Sequence, residues 1–139
     1  PGSKFDPLMK IASGGELSRF LLALKVCLTS AQKAGSIVFD EIDRGVGGAT
    51  ADAVGRRLLK LAESNAQVLA VTHSPQVAAL ADTHFMVSKE TNNESALSHV
   101  TEVSGKNRVE EIARMISGDR VTDEAREASR VLIAGARRA

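Results

Sequence analysis

Some short stretches of this 139-residue sequence hold residues whose types and spacing could do chemistry. The first is Ser13-Gly14-Gly15-Glu16-Leu17-Ser18-Arg19. Ser13 followed three residues later by Glu16 is a capping box, in which the serine satisfies a free N–H of a helix start and the glutamate reaches back. The two glycines fit that role poorly, because each weakens a helix by roughly 1 kcal/mol relative to alanine. They fit a second role, that of bare N–H groups at the positive end of a helix, open to a phosphate. The sequence admits both readings at once.

The second stretch is Ile37-Val38-Phe39-Asp40-Glu41, an apolar run ending in two acids. A buried strand that stops in this way places an aspartate where it can hold magnesium through water beside a nucleotide's phosphates. The following glutamate then sits where it can polarise an attacking water, as a general base does. The competing reading is a strand that ends in a solvated acidic turn. The loop that follows, Ile42-Asp43-Arg44-Gly45-Val46-Gly47-Gly48, favours the first, since glycines in a short polar loop suggest backbone that approaches something closely. The third candidate is His73. It follows the apolar run Val68–Val71 and precedes Ser74-Pro75, which reads as an N-cap with a first-turn proline.

Other candidates carry less. His84 and His99 lack such a context and read as surface or satisfied side chains. Cys27 lies on the apolar face of its helix and reads as core. No His/Cys/Asp spacing supports zinc. Ser13, Ser18 and Ser74 have no G-x-S-x-G elbow around them, which argues against a serine hydrolase.

Helices and strands must position these groups. Apolar residues at Leu17, Phe20, Leu21, Leu24, Cys27, Leu28 and Ala31 predict a helix from Glu16 to about Lys33, stopped by Gly35. Buried strands are expected at Ile37–Phe39, Val68–Val71 and Phe85–Val87. A helix from Ala49 to about Glu63, with Val54, Leu58, Leu59 and Leu61 inward, lies between the first two. A short helix from Pro75 to Ala81 lies between the second and third. The polar turn Thr91–Glu94 leads to Leu97–Val103 as an antiparallel partner. Helices near Arg108–Ile116 and Thr122–Ala134 follow. Strand–helix–strand–helix–strand implies a parallel sheet with right-handed crossovers. Working groups collect beyond the carboxyl ends of such strands. Asp40-Glu41 and Thr72-His73 should therefore converge on one edge, with no assumption about family.

Composition bounds the class. The chain is 43% hydrophobic and 25% charged, enough apolar residues for the core of about one domain. A net charge of +1 and the lack of a basic tract argue against a stand-alone nucleic-acid binder. The aromatic residues are all Phe, 3% of the chain, which disfavours base-stacking platforms. No run of about 18 apolar residues could span a bilayer. A single cysteine excludes an internal disulfide framework. With no secretory signal, a reducing cytoplasm is expected. The start at Pro1-Gly2-Ser3 rather than at Met suggests a piece of a longer protein.

Taken together, the motifs carry a resemblance. Ser13–Arg19 resembles the signature motif of ABC-type ATPases, and Ile37–Glu41 resembles their Walker B strand with its catalytic glutamate. Arg44–Gly47 falls where their D-loop lies, and His73 where their switch histidine lies. The chain is most similar to the RecN family, bacterial SMC-like recombinational repair ATPases. That similarity runs through the lead-in Pro7-Leu8-Met9-Lys10-Ile11-Ala12, the segments Phe39–Gly48 and Val71–Ala78, and Val87-Ser88-Lys89-Glu90. It continues into Arg108–Met115 and covers nearly the whole chain. Gly47 stands where most ABC proteins have the D-loop aspartate.

The resemblance implies an α/β fold: the C-terminal lobe of an ABC/SMC-type P-loop ATPase head, a parallel-sheet core with flanking helices over residues 1–139. It implies ATP and magnesium as ligands, Asp40 on the metal through water, Glu41 orienting the attacking water and His73 on the γ-phosphate. Ser13, Gly14, Gly15 and Glu16 of one protomer would close over ATP held by the other, with Arg44 and Gly45 in the D-loop beside it. G-x-x-x-x-G-K-[ST] is missing from the sequence. The nearest approach, Gly105-Lys106-Asn107, has Val100 at the first glycine position and Asn where Ser or Thr must hold magnesium. In this family the Walker A loop belongs to an N-terminal half beyond a long antiparallel coiled coil, so the isolated chain is expected to be inactive. Implied partners are that half, a second copy through ATP-sandwiched heads, and DNA through the full-length protein, in the cytoplasm at the nucleoid and away from membranes. An ABC-like module for dimerisation or DNA bridging without turnover is the rival, opposed by the intact Asp40, Glu41 and His73. A transporter ATPase fragment is opposed by Asp43 and Arg44, where transporters usually show Thr-Ser.

Overall fold

The computed structural model describes residues 35–41, 43, 45–64, 66–92 and 95–136. The helix expected over Glu16–Lys33 lies outside the described residues. The chain divides into two compact units between Ser74 and Pro75.

The first unit contains strand β1 (Ser36–Asp40), helix α1 (Gly48–Glu63) and strand β2 (Gln67–Val71). The strands pair in parallel, from Ser36 opposite Gln67 to Asp40 opposite Val71. Helix α1 forms as the periodicity predicts, burying Ala51, Val54, Gly55, Leu58 and Leu61 at three- and four-residue steps. Leu59, expected inward, is only half-buried. Ser64 ends the helix, its hydroxyl donating to the Leu61 carbonyl at 2.7 Å. In β1, Phe39 is fully buried.

The strands are less covered than their composition suggests. Val38, Leu69 and Val71 are 60%, 47% and 55% exposed, and the register puts them on one face. A parallel pair needs cover on both faces. A single crossover helix can supply one.

The second unit contains helix α2 (Pro75–Leu80), strands β3 (His84–Asn92) and β4 (Ser95–Val103), and helices α3 (Gly105–Ser117) and α4 (Asp123–Ala136). Pro75 opens α2 as expected. The expected β3–β4 hairpin is present, in antiparallel register from His84↔Val103 to Asn92↔Ser95. Among the described residues β3 is hydrogen-bonded to β4. A partner a short turn away closes a far smaller loop than one beyond a crossover.

Helices α2, α3 and α4 bury Val77, Ala78, Ala79, Leu80, Ile112, Ala113 and Ala125. Two polar side chains tie elements of this unit together. The fully buried Ser129 donates to the Val109 carbonyl at 2.9 Å, tying α4 to α3. An Arg108 guanidinium nitrogen donates to the carbonyls of Ala78 (3.2 Å), Ala79 (3.1 Å) and Ala81, at the C-terminal end of α2. No helix among the described residues is long and apolar enough to cross a membrane.

Candidate functional site

The site grows from the parallel register. With Asp40 opposite Val71, the chain leaves both strands at the same edge, and the Glu41 N–H donates to the Val71 carbonyl at 3.0 Å. The acid pair Asp40-Glu41 and the segment Thr72-His73-Ser74 therefore start side by side, as the sequence predicts. Asp40, Glu41 and His73 are all exposed.

Glu41 is the one non-glycine residue at positive φ (46°) among the described residues. Such a conformation costs of order 1–3 kcal/mol and persists where surrounding structure enforces it, often at functional sites. The turn beyond it is closed by the Val46 N–H donating to the Asp43 carbonyl at 3.0 Å.

Asp43 is the residue that sequence reasoning passed over. It is fully buried, and its Oδ2 accepts from the Thr72 hydroxyl and from the Ser74 N–H at 3.1 Å. The Ser74 N–H also reaches the Thr72 hydroxyl oxygen, at 2.9 Å. One carboxylate thus ties the loop after β1 to the loop after β2, on both sides of His73. The other oxygen, Oδ1, is buried without a hydrogen-bond partner among the described residues. The available signal was an acid two residues beyond Glu41 and two hydroxyl residues flanking His73. None of these types reveals burial by itself.

The glycine loop has a local explanation. Gly45 and Gly48 adopt φ of 74° and 54°, which L side chains rarely tolerate. Among the described residues no atom lies within 4 Å of where a Cβ would stand on Gly45, Gly47 or Gly48. Ser13, Gly14, Gly15, Glu16 and Arg44 lie outside the described residues. Gly105 and Lys106 begin α3, behind Ser104.

For a metal, the described residues contain no cluster of three or more His, Cys, Asp or Glu side chains. Asp40 offers one exposed, hard carboxylate. That donor set suits magnesium, which takes one or two carboxylates and fills its octahedron with phosphate oxygens and water.

His99 is an exposed residue 3.3 Å from Glu90, consistent with the surface reading. His84 departs from it: it lies partly inside the second unit, and its Nδ1 is buried without a hydrogen-bond partner among the described residues. Burial, then the positive charge of Arg108, push its pKa below the ordinary imidazole value, against a smaller opposing pull from Glu111.

The chain is similar to proteins already known. No family model matches the chain. It is 47% identical over 137 residues to the DNA repair protein RecN of Treponema pallidum, covering 98% of this chain and 24% of that protein. It is 47% identical over 135 residues to RecN of Deinococcus radiodurans, covering 97% and 23%. With RecN of Bacillus subtilis it shares 43% over 132 residues, covering 95% and 23%. The chain thus spans about a quarter of the length of the curated relatives it matches. Among solved structures it is similar, with a TM-score of 0.55 and 22% identity, to one from work on the "structural biochemistry of ATP-driven dimerization and DNA stimulated activation of SMC ATPases". That likeness covers 81% of this chain and 66% of the other, and it shows the fold: mixed α/β of the SMC ATPase type.

Proposed function

We propose that this chain is the C-terminal lobe of the ATPase head of an SMC-like DNA repair protein of the RecN type. The observation that carries the proposal is the parallel register of β1 and β2, which starts Asp40-Glu41 and Thr72-His73 from one edge. The sequence identity to RecN proteins supports the same reading.

In this reading ATP is bound between two protomers, and the N-terminal half of the same head supplies the phosphate loop. Glu41 orients the attacking water and accepts its proton, the task of a general base. His73 donates to the γ-phosphate, where negative charge is redistributed as the bond to the leaving group breaks. Asp40 is the residue that would hold magnesium, whose chemistry is to neutralise phosphate charge. Ser13, Gly14, Gly15 and Glu16 close over the nucleotide of the other protomer, and Arg44 and Gly45 line the loop between the two sites. The assembled full-length protein engages DNA, in the cytoplasm at the nucleoid. The isolated chain lacks the phosphate loop and is expected to be inactive. A module that bridges DNA without turnover is disfavoured by the joint presence of Asp40, Glu41 and His73.

The test is ATP-driven dimerisation of the full-length protein, followed by light scattering. Glu41→Gln should accumulate an ATP-bound dimer. Adding Ser13→Asp should abolish it, because an aspartate caps a helix as well as serine does but sets an anion against the γ-phosphate. Repulsion of unit charges about 4 Å apart is roughly 4 kcal/mol at an intermediate dielectric. A normal ATP-dependent dimer from the double mutant would refute the signature assignment.

A further inference from the structure

Asp43 is a buried carboxylate that the hydrolysis chemistry above does not use. A buried acid costs free energy unless its oxygens are matched, and here the partners of one oxygen come from a different loop. Thr72 and Ser74, which flank His73, supply those partners. The Thr72 hydroxyl gives its hydrogen to Asp43 and takes one from the Ser74 N–H, so three hydrogen bonds close a small ring around the backbone of His73. On the other side, Asp43 lies two residues from Glu41, whose left-handed backbone needs enforcement from its surroundings. The Asp43 carbonyl and the Glu41 N–H fix that loop further, through Val46 and Val71.

From this arrangement we infer that Asp43, acting through Thr72, is a positioning residue that sets the base loop carrying Glu41 and the loop carrying His73 in fixed relation for attack on the γ-phosphate. The inference rests on the ATPase reading given above. Neither Asp43 nor Thr72 touches the reacting atoms in this account. Their effect is on where Glu41 and His73 stand.

An error of about 1 Å in the placement of reacting groups can cost on the order of 100-fold in rate. The ring therefore predicts a loss in kcat with little change in nucleotide affinity. The experiment uses the full-length protein, steady-state ATP hydrolysis and thermal unfolding, with Thr72→Val, Thr72→Ser and Glu41→Gln side by side. Valine keeps the shape of threonine and removes both the donor to Asp43 and the acceptor for Ser74. Serine restores them. Thr72→Val should lower kcat by about 10- to 100-fold, and KM should stay within about threefold, as for an interaction that matters only in the transition state. Thr72→Ser should recover most of the rate.

Wild-type kcat in Thr72→Val, beside an inactive Glu41→Gln, would overturn the inference and leave the ATPase site standing. Equal damage from Val and Ser would overturn it as well, since the hydroxyl would then not be what matters. So would a kcat loss that came with a matching rise in KM and a lowered unfolding temperature, the pattern of general destabilisation. Wild-type hydrolysis by Glu41→Gln would remove the site reading itself, and the inference with it.

Discussion

In the first unit, strands β1 and β2 keep Val38, Leu69 and Val71 in water, and the chain leaves them through a left-handed Glu41 and a carboxylate buried with one oxygen unmatched. In the second unit, Ile112 and Ala113 are fully buried, and the Ser129 hydroxyl and the carbonyls at the end of α2 find partners. Phe85, Val87, Leu97 and Val100 there stay more than half exposed, and the His84 Nδ1 is buried without a hydrogen-bond partner among the described residues. Every described residue proposed for chemistry lies in the first. Both units leave apolar side chains in water, so cover does not set them apart. What sets the first apart is backbone strain, in the left-handed Glu41 beside the residues proposed for chemistry.

Core truncation gives the largest way to sharpen that contrast. Phe39→Ala should cost about 3–5 kcal/mol, and Ile112→Ala about 2–5 kcal/mol, both read as shifts in the denaturation midpoint. The Phe39 change should also abolish ATP hydrolysis, because that side chain directly precedes Asp40-Glu41. If Phe39→Ala left hydrolysis intact, the strand would not be what places the acids.

His73→Ala should slow turnover by about 100-fold, the scale for losing one donor to developing charge. ADP and ATP binding should change much less. Equal loss of both nucleotides with unchanged turnover would return His73 to a structural role.

Arg108→Ala tests the second unit. Removing a charged donor from the carbonyls at the end of α2 should cost about 1–3 kcal/mol. Hydrolysis rates should stay near wild type at temperatures where the variant is folded. A kinetic defect larger than the stability loss would break the division between the units.

The pH dependence of stability is the smallest effect. Burial, then the charge of Arg108, lower the pKa of His84, so its folded value lies below its unfolded one. The unfolded chain then binds more protons as pH falls past about 6.5, the ordinary imidazole value. The contribution of His84 is complete above that pH and is lost as pH falls towards the folded pKa. His84→Gln should flatten the fall in unfolding temperature between pH 7 and 5. An unchanged slope would show that this histidine does not respond to its burial.

Much of this was legible in residue patterns because the signals are local. Val54, Leu58 and Leu61 mark α1 by their period, and Pro75 marks the start of α2. Apolar runs ending in Asp40-Glu41 and Thr72-His73 bring the candidate residues to one edge once two parallel strands are assumed. What could not be read depends on which distant segment supplies a neighbour. Asp43 in a polar, glycine-rich loop resembles a solvated acid, and its burial follows only from a partner 29 residues away. Phe85–Val87 resembles the other apolar runs, yet Phe85 and Val87 lie exposed on the hairpin. The exposure of Leu69 and Val71 depends on what lies over that face, about which their own sequence is silent.

The central claim is that the loop after β1 carries the base for ATP hydrolysis. The most direct measurement is single-turnover ATP hydrolysis, with ATP affinity, by the full-length Glu41→Gln protein. The account predicts unchanged affinity and hydrolysis slower by at least about 100-fold, the usual scale for losing a general base. Hydrolysis at the wild-type rate would contradict it.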